Sequence, residues 1–297
     1  MKKLVSYIKK PDLFQRLWKK FLSLFFFEQW SLLISNTSNG VPVSWSNFKL
    51  LAPPKDRFWA DPFLWKKNGE QYVFFEELPF ETMKGHISCL KIDQEMNIVS
   101  NQVVLERPYH LSYPFLFEYR DQLYMLPETK QNNEIELYQC QRFPDEWQKV
   151  STLIPNIQAV DSTLLEWNNK WWLFTNVAKA GGNAYDSLYL FFADSPLSTT
   201  WTPHPLNPVV QDVKRARPAG NIVKLDNSLI RPSQDCSVRY GFAINFNRID
   251  ILSETEYKET LLNSFLPPKN DKSILATHTW NQLGNLQVID AEYWRRR

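Results

Sequence analysis

The stretch DPFLWKKNGEQYVFFE, residues 61–76, decides the fold because related stretches recur along the chain. It places a polar residue before an apolar run, then a polar turn, then a second apolar run that ends in an acidic residue. The other copies are YPFLFEYRDQLYMLPE from Tyr113, DSTLLEWNNKWWLFTN from Asp161, RPAGNIVKLDNSLIRPSQ from Arg217 and HTWNQLGNLQVIDAE from His278. Successive copies start 52, 48, 56 and 61 residues apart. This period is typical of a four-stranded propeller blade with loops of variable length.

Each of the first four copies is followed by a third strand-like run and then by a more exposed fourth segment. The third runs are GHISCLKI from Gly85, IELYQCQ from Ile135, LYLFFAD from Leu188 and YGFAINF from Tyr240. They are rich in β-branched and aromatic residues, as strands are. Four strands in each of five units predict an all-β fold, a five-bladed β-propeller over residues 28–297. A β-sandwich with fortuitous periodicity is the alternative, and the aligned apolar runs favour the propeller.

Composition and spacing exclude several classes of protein. The chain has 297 residues and a net charge of +2, but residues 1–20 hold seven basic residues and one acidic residue, so the remainder is about −4. A uniformly basic nucleic-acid-binding domain is therefore not expected. The three cysteines and four histidines show no metal-ligand spacing, and no Gly-rich phosphate loop is present, so we expect no metal and no cofactor. Unpaired cysteines in strand-like runs favour a reducing compartment, the cytoplasm.

Residues 1–27 are predicted to form a separate basic amphipathic helix. In residues 12–27, DLFQRLWKKFLSLFFF, the apolar side chains favour one side of a helix and the basic ones the other. The apolar run is too short to span a bilayer. Such a helix suits the surface of an anionic membrane, which predicts a peripheral contact on its inner face. The alternative is a helix that packs across the propeller.

The next residues, EQWSLLIS at 28–35, are predicted to form a strand. This strand would complete the last blade by pairing with the C-terminal segment. Closing the ring in this way protects strand edges that would otherwise be exposed.

Polar residues that begin the first strand of each unit are predicted to converge at one mouth of the central channel. They are Asp61, Tyr113, Asp161, Arg217 and His278, and the ends of the second strands add Glu76, Glu77, Glu128, Asn176, Gln234 and Asp235. Carboxylates crowded in a partly dehydrated pocket cannot all ionise at their ordinary pKa values, so one becomes an acid while another stays charged. Such a pair is the apparatus that makes or breaks a glycosidic bond.

We assign a hypothetical role to each group. Asp61 is the predicted base or nucleophile, Glu128 the acid, and Asp161 the residue that tunes pKa values and orients the sugar. The predicted substrate-binding residues are Arg57, Trp59, Glu76, His110, Tyr113, Arg217, Arg231, Gln234 and Asp235. Aromatic rings offer stacking faces, and the arginines can bind a carboxylate or phosphate in bidentate fashion.

These residues also have structural explanations. Asp61 could cap a turn before Pro62, and Glu128 could be a solvated turn residue. An internal ion pair between Arg231 and Asp235 is as consistent with the sequence as a binding site. His110 could contact a substrate or make a hydrogen bond within the core.

Taken together, FWADPFL, YHLSYPFLFE, MLPET, FPDEW, ARPAGN and RPSQDCSVRYG resemble one domain family over roughly residues 28–295. It is the N-terminal β-propeller of plant glucosamine inositolphosphorylceramide transferases, together with its stand-alone bacterial relatives. More distantly, the layout is similar to five-bladed propeller glycosidases of the arabinanase, xylosidase and invertase kinds. That resemblance implies a catalytic Asp on the first blade, which Asp61 before Pro62 matches. Glu128 and Asp161 offer the other carboxylates, in a blade order that differs from the glycosidase pattern.

The leading hypothesis is a carbohydrate-active protein that hydrolyses or transfers glycosyl groups on a glycan or glycolipid, during assembly of a cell-surface polysaccharide. The rival is a non-catalytic glycan-binding module that serves a partner glycosyltransferase. A propeller for protein–protein interaction is a third class, and it would have a flat apolar rim and a plugged channel.

Overall fold

The computed structural model describes residues 25–37, 40–178 and 184–297, so residues 1–24 of the predicted helix lie outside the described residues. Five antiparallel sheets make up the described chain, with strands numbered β1 to β22 in chain order. Two short 3₁₀ turns, Trp45–Asn47 and Lys130–Asn132, are the helical elements of the described part. Among these residues no helix has the length and apolar character needed to cross a membrane.

Each sheet is one blade of a five-bladed β-propeller, as the repeats predict. Blade one comprises β3 (Arg57–Lys67), β4 (Glu70–Pro79), β5 (His86–Ile92) and β6 (Ile98–Leu105). Blade two comprises β7 (Ser112–Tyr119), β8 (Gln122–Glu128), β9 (Glu134–Arg142) and β10 (Glu146–Pro155). Blade three comprises β11 (Ala159–Trp167), β12 (Lys170–Val177) and β13 (Ser187–Ala193), with β14 (Thr202–Pro203) and β15 (Val210–Gln211) on its outer edge.

Blade four comprises β16 (Val223–Leu225), β17 (Ser228–Asp235), β18 (Ala243–Leu252) and β19 (Tyr257–Phe265). Blade five has β20 (Ile274–Ala276) and β21 (Trp280–Leu283) on its inner edge, followed by β22 (Leu286–Arg296), β1 (Phe26–Asn36) and β2 (Lys49–Leu51).

The polar turns of the repeats form the hairpins between the first two strands of the blades. Two consecutive residues with positive φ occupy these turns at 68–69, 120–121, 168–169 and 226–227. This is the geometry of a type I′ turn, whose twist matches that of the flanking strands. Asn, Asp and Gly dominate these positions because they tolerate left-handed backbone. These residue types therefore predict the turns from the sequence.

The chain ends close the ring. β1 pairs with β22 over eleven residues, from Phe26 opposite Arg296 to Asn36 opposite Leu286. The predicted closing strand is therefore confirmed, although it is the third strand of its blade and β2 is the outermost. The assignment of Phe26 and Phe27 to the helix is wrong, because their backbones pair with Arg295 and Arg296.

Most buried apolar side chains pack between neighbouring blades. Four buried clusters hold the ring together, and each joins sheets that are adjacent in it. The largest spans blades one to three and includes Phe74, Met125 and Leu173. Trp280 and Phe246 join blades four and five at a ring separation of 5.2 Å.

Gly220 lies where the first segment of blade four crosses the inner edge of blade five. Its φ is +129°, and a Cβ atom at this position would lie 2.0 Å from the carbonyl oxygen of Trp280. The close approach lets the Ala219 carbonyl accept a hydrogen bond from the Trp280 N–H at 2.8 Å. A side chain at this position would therefore force the two blades apart.

We expect Gly220→Ala to destabilise the fold by about 3 kcal/mol or more, because a backbone clash adds to an unfavourable φ. Gly284→Ala is the matched control, since Gly284 has φ +60° but no atom within 4 Å of the added Cβ. It should cost only about 1–2 kcal/mol, the penalty for left-handed backbone. Urea unfolding of both variants measures the difference, and equal losses would contradict the packing described for Gly220.

Candidate active site

The inner strands of the first three blades carry a β-bulge at the same position. Asp61, Tyr113 and Asp161 have φ values of 51°, 46° and 53°, and each coincides with a shift in strand register. A bulge redirects the side chain of the extra residue out of the regular alternation. The three repeats therefore turn these side chains toward the channel, and Arg217 and His278 approach from blades four and five.

Tyr113 fills the centre of the ring. Its side chain is fully buried, and its ring packs on Phe63 with centroids 4.8 Å apart. Its hydroxyl lies 2.8 Å from Thr163 Oγ1 and accepts a hydrogen bond from the Gly220 N–H at 2.7 Å. Tyr113, which was predicted to contact substrate, is thus packed at the centre of the ring.

Asp61 belongs to a buried cluster at the seam between blades one and five. Its Oδ1 accepts a hydrogen bond from the Thr279 hydroxyl at 2.7 Å and lies 3.7 Å from His278 Nε2. On the other side of the imidazole, His278 Nδ1 lies 2.6 Å from Asp290 Oδ2. Asp290 also accepts hydrogen bonds from the backbone N–H groups of Asp61, His278 and Thr279.

Burial and charge set the ionisation of this cluster. Burial raises the pKa of Asp61 to about 7, with a further contribution from the nearby carboxylates of Asp161, Glu76 and Asp290, while His278 opposes the rise. Burial alone would lower the pKa of His278, but the carboxylates of Asp290 and Asp61 raise it to about 9. His278 is thus an imidazolium at neutral pH, and Asp61 is poised between acid and base.

Asp161 lies in a second cluster, opposite Arg217 and Gln234. The Arg217 guanidinium donates to both carboxylate oxygens, from Nε at 2.5 Å and from Nη2 at 3.3 Å. Gln234 Nε2 donates to Oδ2 at 2.8 Å. All three side chains are buried. This bidentate pair holds Asp161 in one orientation, as its predicted orienting role requires.

Glu128 connects the clusters at the end of β8. Its Oε2 lies 3.9 Å from Arg217 Nη2 and is buried without a hydrogen-bond partner among the described residues. Burial, and then the neighbouring Asp161 carboxylate, raise the pKa of Glu128 to about 8 despite the opposing charge of Arg217. A carboxyl group that keeps its proton at neutral pH has the protonation state of a general acid.

His110 and Glu76 complete the polar lining. His110 Nδ1 accepts a hydrogen bond from the Gly85 N–H at 2.9 Å, so its Nε2, 3.2 Å from Glu76 Oε1, carries the proton. Burial lowers the pKa of His110, but the hydrogen bond to Glu76 and the charges of Glu76, Glu128 and Asp61 raise it above its ordinary value overall.

Three aromatic residues surround the mouth near His278. Trp30 stacks on the His278 ring with centroids 4.2 Å apart, and Tyr240 meets that ring edge-on at 5.3 Å. Tyr240 also lies 5.8 Å from Tyr185, and the Arg217 guanidinium faces both tyrosine rings. With more than a third of its surface exposed, Tyr240 offers a face on which a sugar ring can stack.

Some residues predicted to bind substrate engage other partners. Arg57 and Trp59 both donate to the buried carboxylate of Glu77. Although burial raises the pKa of Glu77, these donors together with His86 and Ser88 lower it to about 2. Arg231 is paired through two hydrogen bonds of 2.8 Å with Glu259 on the outer strand of blade four, and Asp235 accepts from the Ser237 N–H.

Sequence reasoning missed Asp290, Trp30 and Tyr240. Asp290 lies on β22 close to where the fifth copy of the repeat ends, and the other copies supply Glu76, Glu128 and Gln234 at their ends, so the repeat could have predicted Asp290. Trp30 and Tyr240 gave no such signal, because one comes from the closing strand and the other from a loop.

Among the described residues, one group has side chains of the types that bind metal ions and ligand atoms that all lie within 4.8 Å of one another. It consists of Asp61, His278 and Asp290. Asp290, however, already accepts three N–H donors and faces Nδ1 of His278. The arrangement is therefore that of a charged histidine held between two carboxylates.

We expect His278→Gln to raise the pKa of Asp61 above about 7, because the variant removes the positive charge that favours the carboxylate. His204→Gln is the matched control. His204 is also buried, but its imidazole forms a hydrogen bond with the Ser253 carbonyl instead of contacting this cluster. Titration of the Asp61 carboxyl carbon by NMR measures both variants. An unchanged or lower pKa in His278→Gln would contradict this electrostatic assignment.

Comparison with solved structures supports the fold. Zg3597, a family 117 glycoside hydrolase from the marine bacterium Zobellia galactanivorans, superposes with a TM-score of 0.56 and covers 90% of each chain. Its sequence is only 12% identical, so the likeness concerns the arrangement of blades.

Sequence relatives are much closer. Glucosamine inositolphosphorylceramide transferase 1 of Oryza sativa subsp. japonica is 35% identical over 210 residues, which cover 69% of this chain and 28% of the relative. The protein of the same name from Arabidopsis thaliana is 33% identical over 228 residues, or 75% of this chain and 29% of the relative. The chain therefore spans less than a third of the length of these plant relatives. Because the family described as "Glucosamine inositolphosphorylceramide transferase 1, N-terminal" also matches residues 38–292, the chain belongs to that family.

Proposed function

We propose that this protein makes or breaks glycosidic bonds at the channel mouth, with Glu128 as general acid and Asp61 as base or nucleophile. The observation that supports this most strongly is the convergence of Asp61, Glu128 and Asp161 from three blades, where burial raises the pKa values of Asp61 and Glu128. Burial raises both pKa values, to about 7 for Asp61 and about 8 for Glu128, so Asp61 loses its proton first as the pH rises. A general base must be ionised and a general acid protonated.

In hydrolysis, the bond between the anomeric carbon and the departing oxygen breaks as a water oxygen bonds to that carbon. Glu128 gives its proton to the departing oxygen, and Asp61 takes a proton from the water. In transfer, an acceptor hydroxyl replaces the water and the proton balance is the same. Asp161, fixed by Arg217 and Gln234, orients the sugar and sustains the raised pKa of Glu128.

Two observations support a class of substrate: the aromatic side chains at the mouth and the names of the plant sequence relatives. Trp30, Tyr185 and Tyr240 provide aromatic faces, and carboxylates beneath them can accept hydrogen bonds from sugar hydroxyls. The plant relatives carry the name glucosamine inositolphosphorylceramide transferase, which contains an amino sugar and a ceramide lipid, and a similar fold is that of a glycoside hydrolase. We therefore propose a glycan or glycolipid substrate, met in the cytoplasm at the inner face of the membrane during assembly of a cell-surface polysaccharide.

A glycan-binding module that serves a partner glycosyltransferase is the second candidate. It is favoured by the deep burial of Asp61 and Asp161, which are only 4% and 1% exposed, below a more accessible aromatic rim. In this case the aromatic rings and Arg217 hold the sugar, and no turnover occurs.

We expect Asp61→Asn and Glu128→Gln each to lower kcat about 10²–10⁴-fold on a glycoside selected from a panel of glycans and nucleotide sugars, since each removes one proton-transfer group. Asparagine keeps the size of Asp61 and tolerates its left-handed backbone. Steady-state kinetics measure the effect, and urea unfolding checks that both variants fold.

Glu118→Gln is the matched control, because Glu118 is an exposed glutamate at the other end of the strand that carries Tyr113. It should retain wild-type turnover. Full activity in Asp61→Asn would refute the catalytic assignment. Tight glycan binding by the wild type without turnover of any bound glycan would instead support the binding module.

A further inference from the structure

Asn176 occupies the position in blade three that Glu76 and Glu128 occupy in blades one and two. It pairs with Val160, the residue before the bulge at Asp161. Glu76 and Glu128 pair in the same way with the residue before the bulge of their own blade. Asn176 is therefore the third-blade counterpart of two groups that line the mouth.

Both polar atoms of the Asn176 side chain are buried without a hydrogen-bond partner. Within the described part of the chain, no other residue has two such atoms. The counterparts in other blades are engaged, since Glu76 lies against His110. In blade four, the side chain of Gln234 donates to Asp161. A buried amide without partners costs stability that an apolar side chain of similar shape would not, so Asn176 needs a partner from outside the chain.

The Asn176 side chain faces the seam between blades three and four. Phe174, two residues earlier on the same face of β12, belongs to a buried cluster that also contains Ala216 of blade four. Leu188, the strand partner of Asn176, belongs to the same cluster. Arg217 follows Ala216 directly, and its guanidinium enters the mouth at this seam. The unpaired amide therefore lies at the seam from which Arg217 reaches the site.

The hydrogen-bonding groups at this seam match a neutral ligand. Arg217 is paired with Asp161, so its charge is already compensated. Glu128 Oε2, which is also buried without a partner among the described residues, lies 3.9 Å from the same guanidinium. A carboxamide presents donors and an acceptor side by side, and two neighbouring hydroxyl groups of a sugar complement them. The exposed ring of Tyr240, whose hydroxyl accepts a hydrogen bond from Arg217 at 3.3 Å, offers a stacking face for that sugar.

We propose that Asn176 is a specificity-determining residue that binds two neighbouring hydroxyl groups of a neutral sugar at the seam between blades three and four. One hydroxyl donates a hydrogen bond to Oδ1, and the other accepts a hydrogen bond from Nδ2. The identity of the ligand as a substrate sugar rests on the proposed function, whereas the unpaired amide is a property of the fold itself.

Thermal unfolding without ligand separates this role from a structural one. Asn247→Ala is the matched control for Asn176→Ala, because Asn247 is also fully buried, but its Nδ2 donates to the Arg231 carbonyl and to Ser233 Oγ. Both variants remove the same atoms, and only Asn247→Ala breaks hydrogen bonds. We expect Asn247→Ala to lower Tm by roughly 5 °C more than Asn176→Ala does. Equal losses, or a larger loss in Asn176→Ala, would overturn the proposal.

Sugar binding is measured by NMR titration with D-galactose, D-glucose and D-xylose, three neutral sugars with neighbouring hydroxyl groups. We expect the wild type to bind at least one of them, and Asn176→Ala to weaken that binding about 10–100-fold, since two hydrogen bonds are lost. Asn247→Ala should change the affinity by less than about twofold. Unchanged affinity in Asn176→Ala, equal losses in the two variants, or a wild type that binds none of these sugars would overturn the proposal.

Monodeoxy analogues of the bound sugar identify the hydroxyl groups. Two analogues with neighbouring positions removed should bind the wild type about tenfold more weakly than the parent sugar, and Asn176→Ala should not discriminate against them. Discrimination that persists in Asn176→Ala would overturn the assignment of these contacts. Sugar binding that depends on Asn176 without turnover of any glycan would contradict the proposed enzyme and leave this binding site intact.

Discussion

The site depends on closure of the ring, and Asp290 is where closure and chemistry meet. β1 and β22 join the chain ends over eleven residue pairs, and Asp290 on β22 then accepts the backbone N–H of Asp61 across the seam between the last and first blades. Without that seam, Asp61 and His278 would lie on the unconnected edges of an open sheet array. The pairing of β1 with β22 thus positions the Asp290 carboxylate beside Asp61 and His278.

Closure also concentrates negative charge in a space with few counter-charges. Five carboxyl groups, those of Asp61, Glu76, Glu128, Asp161 and Asp290, share the mouth with Arg217, His278 and His110. Burial raises the pKa of Glu128 to about 8, and the neighbouring Asp161 carboxylate adds to the rise, while Arg217 opposes it. Because Arg217 is hydrogen-bonded to Asp161 and His278 lies against Asp290, neither cation forms a hydrogen bond with Glu128.

The sequence predicted the blades well because each blade repeats the same local signals. Turn residues such as Asn68 and Asn168, and the polar residue that opens each inner strand, obey rules that act over a few positions. The predicted meeting of Asp61, Glu128 and Asp161 followed from that repeat. By contrast, Arg217 and Arg231 were both predicted to bind substrate, yet Arg217 lines the mouth and Arg231 pairs with Glu259 between strands. The repeat places Arg217 at the start of its copy, where the polar residues of the other copies also lie, whereas Arg231 lies on the second strand.

Non-local packing accounts for the remaining differences. Tyr113 occupies the first-strand position that Asp61 and Asp161 hold, but its length carries the hydroxyl across the axis to Gly220, so it fills the channel. Trp30 contacts His278 because the closing strand comes from the other end of the chain. The two residues lie 248 positions apart in sequence. Neither contact follows from propensity or periodicity, because both require the closed ring.

We propose that segments distant in sequence assemble a single sugar-processing site at the channel mouth. A crystal structure of the Glu128→Gln variant with a bound oligosaccharide would show where the sugar lies. We expect a sugar ring stacked on the Trp30 and Tyr240 side of the mouth, with its anomeric carbon within reach of the Asp61 carboxylate. An oligosaccharide bound on an outer blade surface, with the mouth left empty, would contradict it.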